Sequence, residues 1–106
     1  MAAVVVIYGH PTDAAAFEQY YAETHVPLLF QHQRQIGFHH ADFLKLTGAA
    51  GGGRAPHHRI AQVWFESEEA LRRGMATPEF SAVGGDLRNF ATRGVTASVA
   101  VQTAER

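Results

Sequence analysis

The sequence predicts an α+β fold of the ferredoxin-like type, with a four-stranded antiparallel sheet and the element order β-α-β-β-α-β. Four short segments are rich in β-branched and aromatic residues, and two longer segments repeat apolar residues at helical spacing. These segments follow one another in the order that the fold requires. With 106 residues the chain has the length of one domain, and we expect a single domain over residues 1–106.

The first strand is expected at about Ala3 to Tyr8, in a β-branched run that ends at the turn residues GHPTD. The first helix is expected from about Ala14 to about Gln31, with Asp13 or Thr12 as its N-cap. Pro27 lies inside this helix. Because proline lacks a backbone N–H, we expect the helix to bend there.

The middle of the chain predicts a hairpin. Gly37 precedes a second strand at about Phe38 to Leu46, and a third strand is expected at about His57 to Phe65. The glycine-rich connection TGAAGGGRAP joins them. It is not a phosphate-binding loop, because it lacks the Gly-Lys-Ser/Thr ending and does not lead into a helix.

The last third of the chain predicts a broken helix and a final strand. Ser67 is expected to cap the segment EEALRRGM, and Thr77 followed by Pro78 is expected to start a second helical piece. The final strand is expected at about Val95 to Gln102.

The strands predict a sheet with two partly apolar faces. In the third strand Ile60 and Trp64 alternate with Val63 and Phe65, so neither face is wholly polar. An antiparallel sheet with one solvated face alternates more cleanly. Two helices cover only one face, and we therefore expect the other to meet a second copy in a homodimer.

The composition excludes several classes of function. Nine Lys+Arg against ten Asp+Glu give a net charge of -1, which offers no electrostatic basis for binding nucleic acid or a membrane surface. The absence of cysteine excludes disulfides and thiol chemistry. No apolar run suggests a signal peptide or a membrane helix, and the cytoplasm is the expected compartment.

Seven histidines raise the question of a metal site. The pairs His39-His40 and His57-His58 would lie about 25 Å apart along the hairpin. Adjacent residues of a strand also point to opposite faces. Because metal ligands must converge, no metal site is expected.

Three elements resemble the EthD family, named from ethyl tert-butyl ether degradation. They are FEQYYAETHVPL at residues 17–28, WFESEEAL at 64–71, and TPEF at 77–80 with the later Asp86 and Phe90. The resemblance spans nearly the whole chain. It implies membership of the dimeric α/β-barrel superfamily, in which two ferredoxin-like sheets pack face to face.

The resemblance also implies a small-molecule site between helices and sheet. The superfamily includes cofactor-free monooxygenases, polyketide cyclases, a muconolactone isomerase and haem-degrading enzymes. Its haem-degrading members commonly carry a histidine in the second helix, whereas EEALRRGMATPEF has none. Neither haem nor another cofactor is therefore expected.

His25 is the main candidate for chemistry, with Asp86 as its partner. His25 is either a general acid–base in an apolar pocket or a buried structural histidine. Asp86 either orients that imidazole or is a solvated helix residue. A bend at Pro27 would widen the gap beside His25. The residues expected to bind a substrate are Phe17, Tyr21, Leu28, His40, Gln62 and Trp64.

Tyr21 has two interpretations, a pocket residue four positions before His25 or a core aromatic. Tyr20 is adjacent, and only one of the two tyrosines is expected to face the core. His40, Gln62 and Trp64 are expected to share one sheet face as a semi-polar lining, provided the hairpin register allows it.

These features leave three functional hypotheses open. The first is a cofactor-independent cyclase, isomerase or monooxygenase that acts on a small, apolar, oxygen-bearing molecule. The alternative is a non-catalytic dimeric accessory or binding protein of an oxidative degradation system. The third is a structural module without a pocket. The three hypotheses differ in what they predict. The enzyme predicts turnover, the binding protein predicts binding without turnover, and the structural module predicts a filled gap between helix and sheet.

Overall fold

The computed structural model describes residues 1–105, whose four strands form one antiparallel sheet in the order β2-β3-β1-β4. The strands are β1 (Ala2–Tyr8), β2 (His40–Lys45), β3 (Arg59–Phe65) and β4 (Val95–Val101). This order confirms the predicted ferredoxin-like fold, and the strand ends differ from the predicted ones by at most two residues.

The helical layer consists of two runs. The first contains α1 (Ala14–Tyr20), a π-helical turn (Tyr21–His25), α2 (Val26–Gln31) and α3 (Gln33–Ile36). The second contains α4 (Glu68–Met75), α5 (Pro78–Asp86) and a 3-10 turn (Leu87–Asn89). Within residues 1–105, none of these helices has the length and apolar character needed to cross a membrane.

Three side chains start the helices as the sequence predicts. Asp13, Ser67 and Thr77 each accept the backbone N–H of the residue three positions later, over 3.0, 3.1 and 3.1 Å. Such caps satisfy donors that have no partner inside the helix. They define where α1, α4 and α5 begin.

The first helical run has its irregularity before Pro27 rather than at it. The N–H of Val26 donates to the carbonyl of Tyr21, five residues back, which is the hydrogen bond of a π-helix. A π turn holds one more residue than an α turn. Pro27 then lies in the first turn of α2, where a missing N–H is tolerated. The extra residue of the π turn therefore lies just before Pro27, the proline at which the sequence predicts a bend.

The two faces of the sheet differ in cover. On β3, Ala61, Val63 and Phe65 are buried beneath the helices, whereas Ile60, Gln62 and Trp64 lie half-exposed on the open face. On β4, one of the two edge strands, the residues facing the helical side remain exposed: Val99 is 53% and Val101 48% accessible. The helices therefore cover the middle of the sheet better than this edge.

Gly74 marks the closest approach between α4 and its neighbours. A methyl group at this position would lie 2.6 Å from the Ile36 carbonyl oxygen and 2.6 Å from Cε2 of Phe65. Phe65 is fully buried and Ile36 is buried at the end of α3. The site of a side chain at position 74 is thus already occupied by backbone and core atoms.

Candidate functional site

A cavity of about 120 Å³ lies between the helical layer and the sheet. Its polar lining residues are Tyr8, Tyr21 and His25. The remaining lining residues are apolar or glycine: Val4, Val6, Leu29, Phe43, Ala61, Val63, Phe80, Val83, Gly84, Leu87 and Ala97. An apolar cavity with a few polar groups on one side is the usual form of a small-molecule site.

The first helical run supplies lining residues at steps of four. Tyr21, His25 and Leu29 line the cavity, while Leu28 is half-buried and packs against the main core. In an α-helix a four-residue step drifts away from the starting face, and the longer π turn offsets this drift. The expectation that Leu28 lines the pocket is therefore wrong, and Leu29 takes that place.

His25 is hydrogen-bonded to Asp86. Nδ1 of the imidazole lies 2.9 Å from Oδ2 of the carboxylate, and both side chains are at least nine-tenths buried. Burial raises the pKa of Asp86, but hydrogen bonds from Tyr20, Asn89 and His25 outweigh it and hold that pKa below its usual value. An ionised carboxylate only accepts hydrogen bonds, so Nδ1 of His25 carries the proton.

The second oxygen of Asp86 is held from the other side. Oδ1 accepts the Tyr20 hydroxyl over 2.6 Å and the Asn89 side-chain amide over 2.9 Å. The carboxylate therefore presents one oxygen to His25 and the other to this pair. Such outer hydrogen bonds orient a carboxylate and through it the imidazole.

Sequence reasoning missed Tyr20. The residue lies five positions before His25, and that spacing does not place two side chains together on an α-helix. A π turn between them brings both side chains to Asp86. The adjacent Tyr21 is buried and lines the cavity, whereas Tyr20 stays half-exposed, so only one of the two tyrosines faces the core, as expected.

His25 is set up as a neutral base. Burial lowers its pKa below 6.5, and the carboxylate of Asp86 only partly opposes this effect. Nε2 makes no hydrogen bond to any residue in the part of the chain that the structure describes. With the proton on Nδ1, the lone pair of Nε2 is free for a ligand.

The Tyr21 hydroxyl is the other unusual polar group. It is buried and has no hydrogen-bond partner among residues 1–105. Burial raises the pKa of Tyr21 to about 12, although Arg59 opposes the shift. The hydroxyl therefore stays protonated at neutral pH and remains a donor without an acceptor.

A charge cluster supports Tyr21 from outside the cavity. The Arg59 guanidinium lies 4.9 Å from the centre of the Tyr21 ring, within range of a cation–π contact. Its Nε and Nη2 donate to Glu18 over 2.9 and 2.6 Å, and His58 lies 3.0 Å from the same carboxylate. The bonds from Arg59 lead the causes that hold the pKa of Glu18 at about 2. This pairing links α1 to the start of β3, and the carboxylate of Glu18 neutralises the charge of Arg59.

The structure separates the other predicted binding residues from the cavity. Phe17 is buried behind Tyr21, with ring centres 5.4 Å apart, and is not a lining residue. His40, Gln62 and Trp64 do share one sheet face, as expected, but it is the open face. There the rings of His40 and Trp64 stack at 6.1 Å. The prediction that Trp64 shapes the pocket of His25 is therefore wrong, because the sheet lies between them.

The histidines do not converge on a metal ion in the described part of the chain. No group of three or more His, Asp or Glu side chains within residues 1–105 has the geometry of a metal site. His39 and His40 contact each other at 2.8 Å through Nδ1, and His58 is paired with Glu18.

Comparisons with known proteins agree with this architecture. A family model described as EthD domain matches residues 9–94. An 11.0 kDa protein of the thcB-thcC intergenic region of Rhodococcus erythropolis is 36% identical over 93 residues, which cover 88% of this chain and 86% of that protein.

Two solved structures illustrate the range of similarity. An ethyl tert-butyl ether degradation (EthD) family protein from Bacillus halodurans has a TM-score of 0.84 and 26% identity, covering 97% of this chain and 99% of the other. SnoaB, a cofactor-independent oxygenase from Streptomyces nogalater, has a TM-score of 0.63 and 21% identity, with 98% and 93% covered. At that identity the second likeness concerns the fold alone.

Proposed function

Because this chain belongs to the EthD domain family, we propose that it binds a small molecule in the cavity beside His25 and that His25 moves a proton on that molecule. The observation that carries the proposal is a buried imidazole whose Nδ1 is held by Asp86 while Nε2 is free at an apolar cavity. A positioned base with a pKa near the working pH is the requirement for general base catalysis.

The chemistry needs only the residues of this chain and the ligand. Nε2 of His25 takes a proton from an acidic C–H or O–H bond, and the electron pair of that bond stays on the ligand as an enolate or phenolate. The imidazolium that forms is stabilised by the ionised Asp86. Return of the proton at another atom completes an isomerisation. In a cyclisation the carbanion attacks a carbonyl of the same molecule, which forms a C–C bond and an alkoxide, and the alkoxide takes the proton back from the imidazolium of His25.

An oxygenase activity would add molecular oxygen as a second reactant of the same anion. The resemblance in fold to a cofactor-independent oxygenase supports this extension only at the level of architecture. The link to oxidative degradation also stays a prediction.

Titration of His25 by NMR tests the proposal. We expect the imidazole to titrate with a midpoint below 6.5, because burial lowers its pKa, and to shift when a small ligand enters the cavity. His32, in the same helical run but outside the cavity, is the control and should not respond to the ligand. A His25 signal that neither titrates nor responds would identify a structural histidine. Response without turnover would favour the non-catalytic binding protein.

We further propose a homodimer formed through the open face of the sheet. This face carries half-exposed or exposed apolar residues, namely Val5, Ile7, Leu44, Ile60 and Trp64. Such a patch at the centre of a face that no helix covers is typical of a protein interface.

Light scattering on two matched variants tests the dimer. Leu44→Asp places a charge on the open face, whereas Val99→Asp places one on the helical side of β4 at similar exposure, 45% against 53%. We expect a mass of twice 11.6 kDa for the wild type and for Val99→Asp, and a monomer for Leu44→Asp. A monomeric wild type, or dissociation by Val99→Asp alone, would contradict this interface.

A further inference from the structure

We propose that the cavity takes an uncharged carbonyl compound of about one-ring size, whose oxygen accepts the Tyr21 hydroxyl while His25 faces the adjacent acidic C–H. The inference rests on the proposed function, since it names the ligand of the same site. It is carried by the unpartnered hydroxyl, the charges around the cavity and the cavity volume.

The Tyr21 hydroxyl needs an acceptor. Tyr21 is only 3% exposed, and its oxygen has no hydrogen-bond partner among the described residues. The Tyr8 hydroxyl is close enough to lower the pKa of Tyr21 and to have its own pKa raised, as a donor directed at the Tyr21 oxygen does. Such a contact offers Tyr21 no acceptor, and its hydroxyl meets no partner at hydrogen-bond geometry among the described residues. A buried donor without an acceptor is destabilising, and most such groups in folded proteins are satisfied. A ligand oxygen in the cavity would satisfy this one.

The surrounding charges favour an uncharged ligand. Among the described residues, those that line the cavity carry no Lys, Arg, Asp or Glu. The neighbouring Arg59 is engaged by Glu18 through two hydrogen bonds, and Asp86 already accepts three. A charged ligand would lose its hydration without gaining a free counter-ion, which is strongly unfavourable.

The volume sets the size. The cavity measures about 120 Å³, and an engineered apolar cavity of about 150 Å³ holds one benzene molecule. A single five- or six-membered ring, or a branched chain of similar volume, therefore matches this space. A fused two-ring compound exceeds this space and would have to extend beyond it.

The donor and the base complement each other on such a ligand. The rings of Tyr21 and His25 stack with centres 5.9 Å apart, and both residues line the same cavity. The proposed pose places the carbonyl oxygen at Tyr21 and the neighbouring carbon at His25. Tyr21 stays a donor because burial raises its pKa to about 12, and His25 stays a base because burial lowers its pKa. A hydrogen bond to the carbonyl oxygen also acidifies the adjacent C–H, which aids its transfer to His25.

Binding of isosteric probes tests the inference. Dissociation constants are measured by NMR for cyclopentanone, for methylenecyclopentane, which replaces the oxygen by CH₂, and for cyclopentanecarboxylate. We expect the wild type to prefer the ketone over the hydrocarbon by about 2- to 12-fold, the range for one net hydrogen bond, and to reject the anion. Tyr21→Phe should remove the preference, while Tyr8→Phe should keep it. Equal binding of ketone and hydrocarbon by the wild type would overturn the inference.

Thermal unfolding supplies a second readout that a merely structural tyrosine would not produce. Tyr21→Phe removes a buried unsatisfied hydroxyl, so the ligand-free variant should melt higher than the wild type, by on the order of 4 °C. If Tyr21 instead donates to Tyr8 in solution, both Tyr21→Phe and Tyr8→Phe will melt lower, and the inference fails.

The two proposals fail in different ways. If the ketone preference is absent but the His25 signal still shifts with some other ligand, the ligand class is wrong and the site remains. If no probe shifts His25, the site itself is wrong, whatever the probes show about Tyr21.

Discussion

His25→Gln is expected to lower the rate of proton exchange on a bound ketone by at least about 100-fold, the lower end for loss of a general base. Cyclopentanone is incubated with the protein in D₂O, and the entry of deuterium beside the carbonyl is followed by NMR. This assay reports the proposed proton transfer without knowledge of the natural reaction. Glutamine can still donate a hydrogen bond to Asp86, so the change removes the base with little loss of packing.

The pH dependence of the exchange has a defined direction. The active form is the neutral imidazole, so the rate should rise with pH through the pKa of His25, which burial holds below 6.5, and should be level at neutral pH. The lowered pKa also makes the stability of the fold depend on pH, because the unfolded chain binds a proton at His25 more readily than the folded one. The resulting contribution to the free energy of unfolding is fully present above about pH 6.5 and is lost as the pH falls through the pKa of folded His25.

Two further variants make the exchange experiment specific. His32→Gln changes a histidine of the same helical run that does not line the cavity, and should leave the rate unchanged. Asp86→Asn should lower the rate strongly, because an amide that donates to Nδ1 moves the proton of His25 to Nε2. An unchanged rate in His25→Gln would remove the histidine from the mechanism.

Gly74→Ala is expected to lower the free energy of unfolding by about 2–3 kcal/mol, the upper part of the range for overpacking. In most helix interiors this change stabilises by up to about 1 kcal/mol. Here the sign reverses, because the added methyl group would lie 2.6 Å from both a backbone carbonyl and the buried ring of Phe65. A backbone atom cannot move aside as the end of a flexible side chain can.

Gly84→Ala is the matched control for this prediction. Gly84 also lies inside a helix, α5, but a methyl group there meets no atom within 4 Å. We expect Gly84→Ala to stabilise by about 0.5–1 kcal/mol. Urea unfolding of the three proteins, compared at equal m-values, measures both effects. Stabilisation by both alanines would mean that α4 can shift away from Phe65 at little cost.

Local chemistry accounts for how much of the fold the sequence predicts. Ser67 and Thr77 carry their own hydrogen-bonding signal, so the starts of α4 and α5 are confirmed as predicted. Alternation correctly divided the residues of β3 between two faces. Which face the helices cover was not predictable, because Ile60 and Trp64 are as apolar as Val63 and Phe65. Trp64 was therefore assigned to the wrong side of the sheet.

The site was predictable as far as α-helical geometry holds. The pairing of His25 with Asp86 is one of two interpretations that the sequence leaves open, and the structure shows the contact. The catalytic role of the pair stays a prediction. Tyr20 and Leu29 do not follow, because their positions depend on the π turn. Residues 21–25 contain no glycine or proline, and the only hint is Pro27, which also suits an ordinary bend. Whether the Tyr21 hydroxyl finds a partner depends on tertiary contacts that no local pattern contains.

Because of the π turn, the geometry of the site depends on the presence of one additional residue. This extra residue lets two successive tyrosines contact the surroundings of His25. Tyr20 donates a hydrogen bond to Asp86, and Tyr21 lines the cavity. Loss of one residue from this turn, such as the exposed Ala22, would leave an unbroken α-helix whose apolar residues on either side of the turn are unchanged. In that helix Tyr20 and Tyr21 could not both keep their present contacts, one with Asp86 and the other with the cavity. A relative that differs by this deletion would keep the fold and lack half of the polar site, so the presence of the extra residue is a criterion for tracing the site through the family.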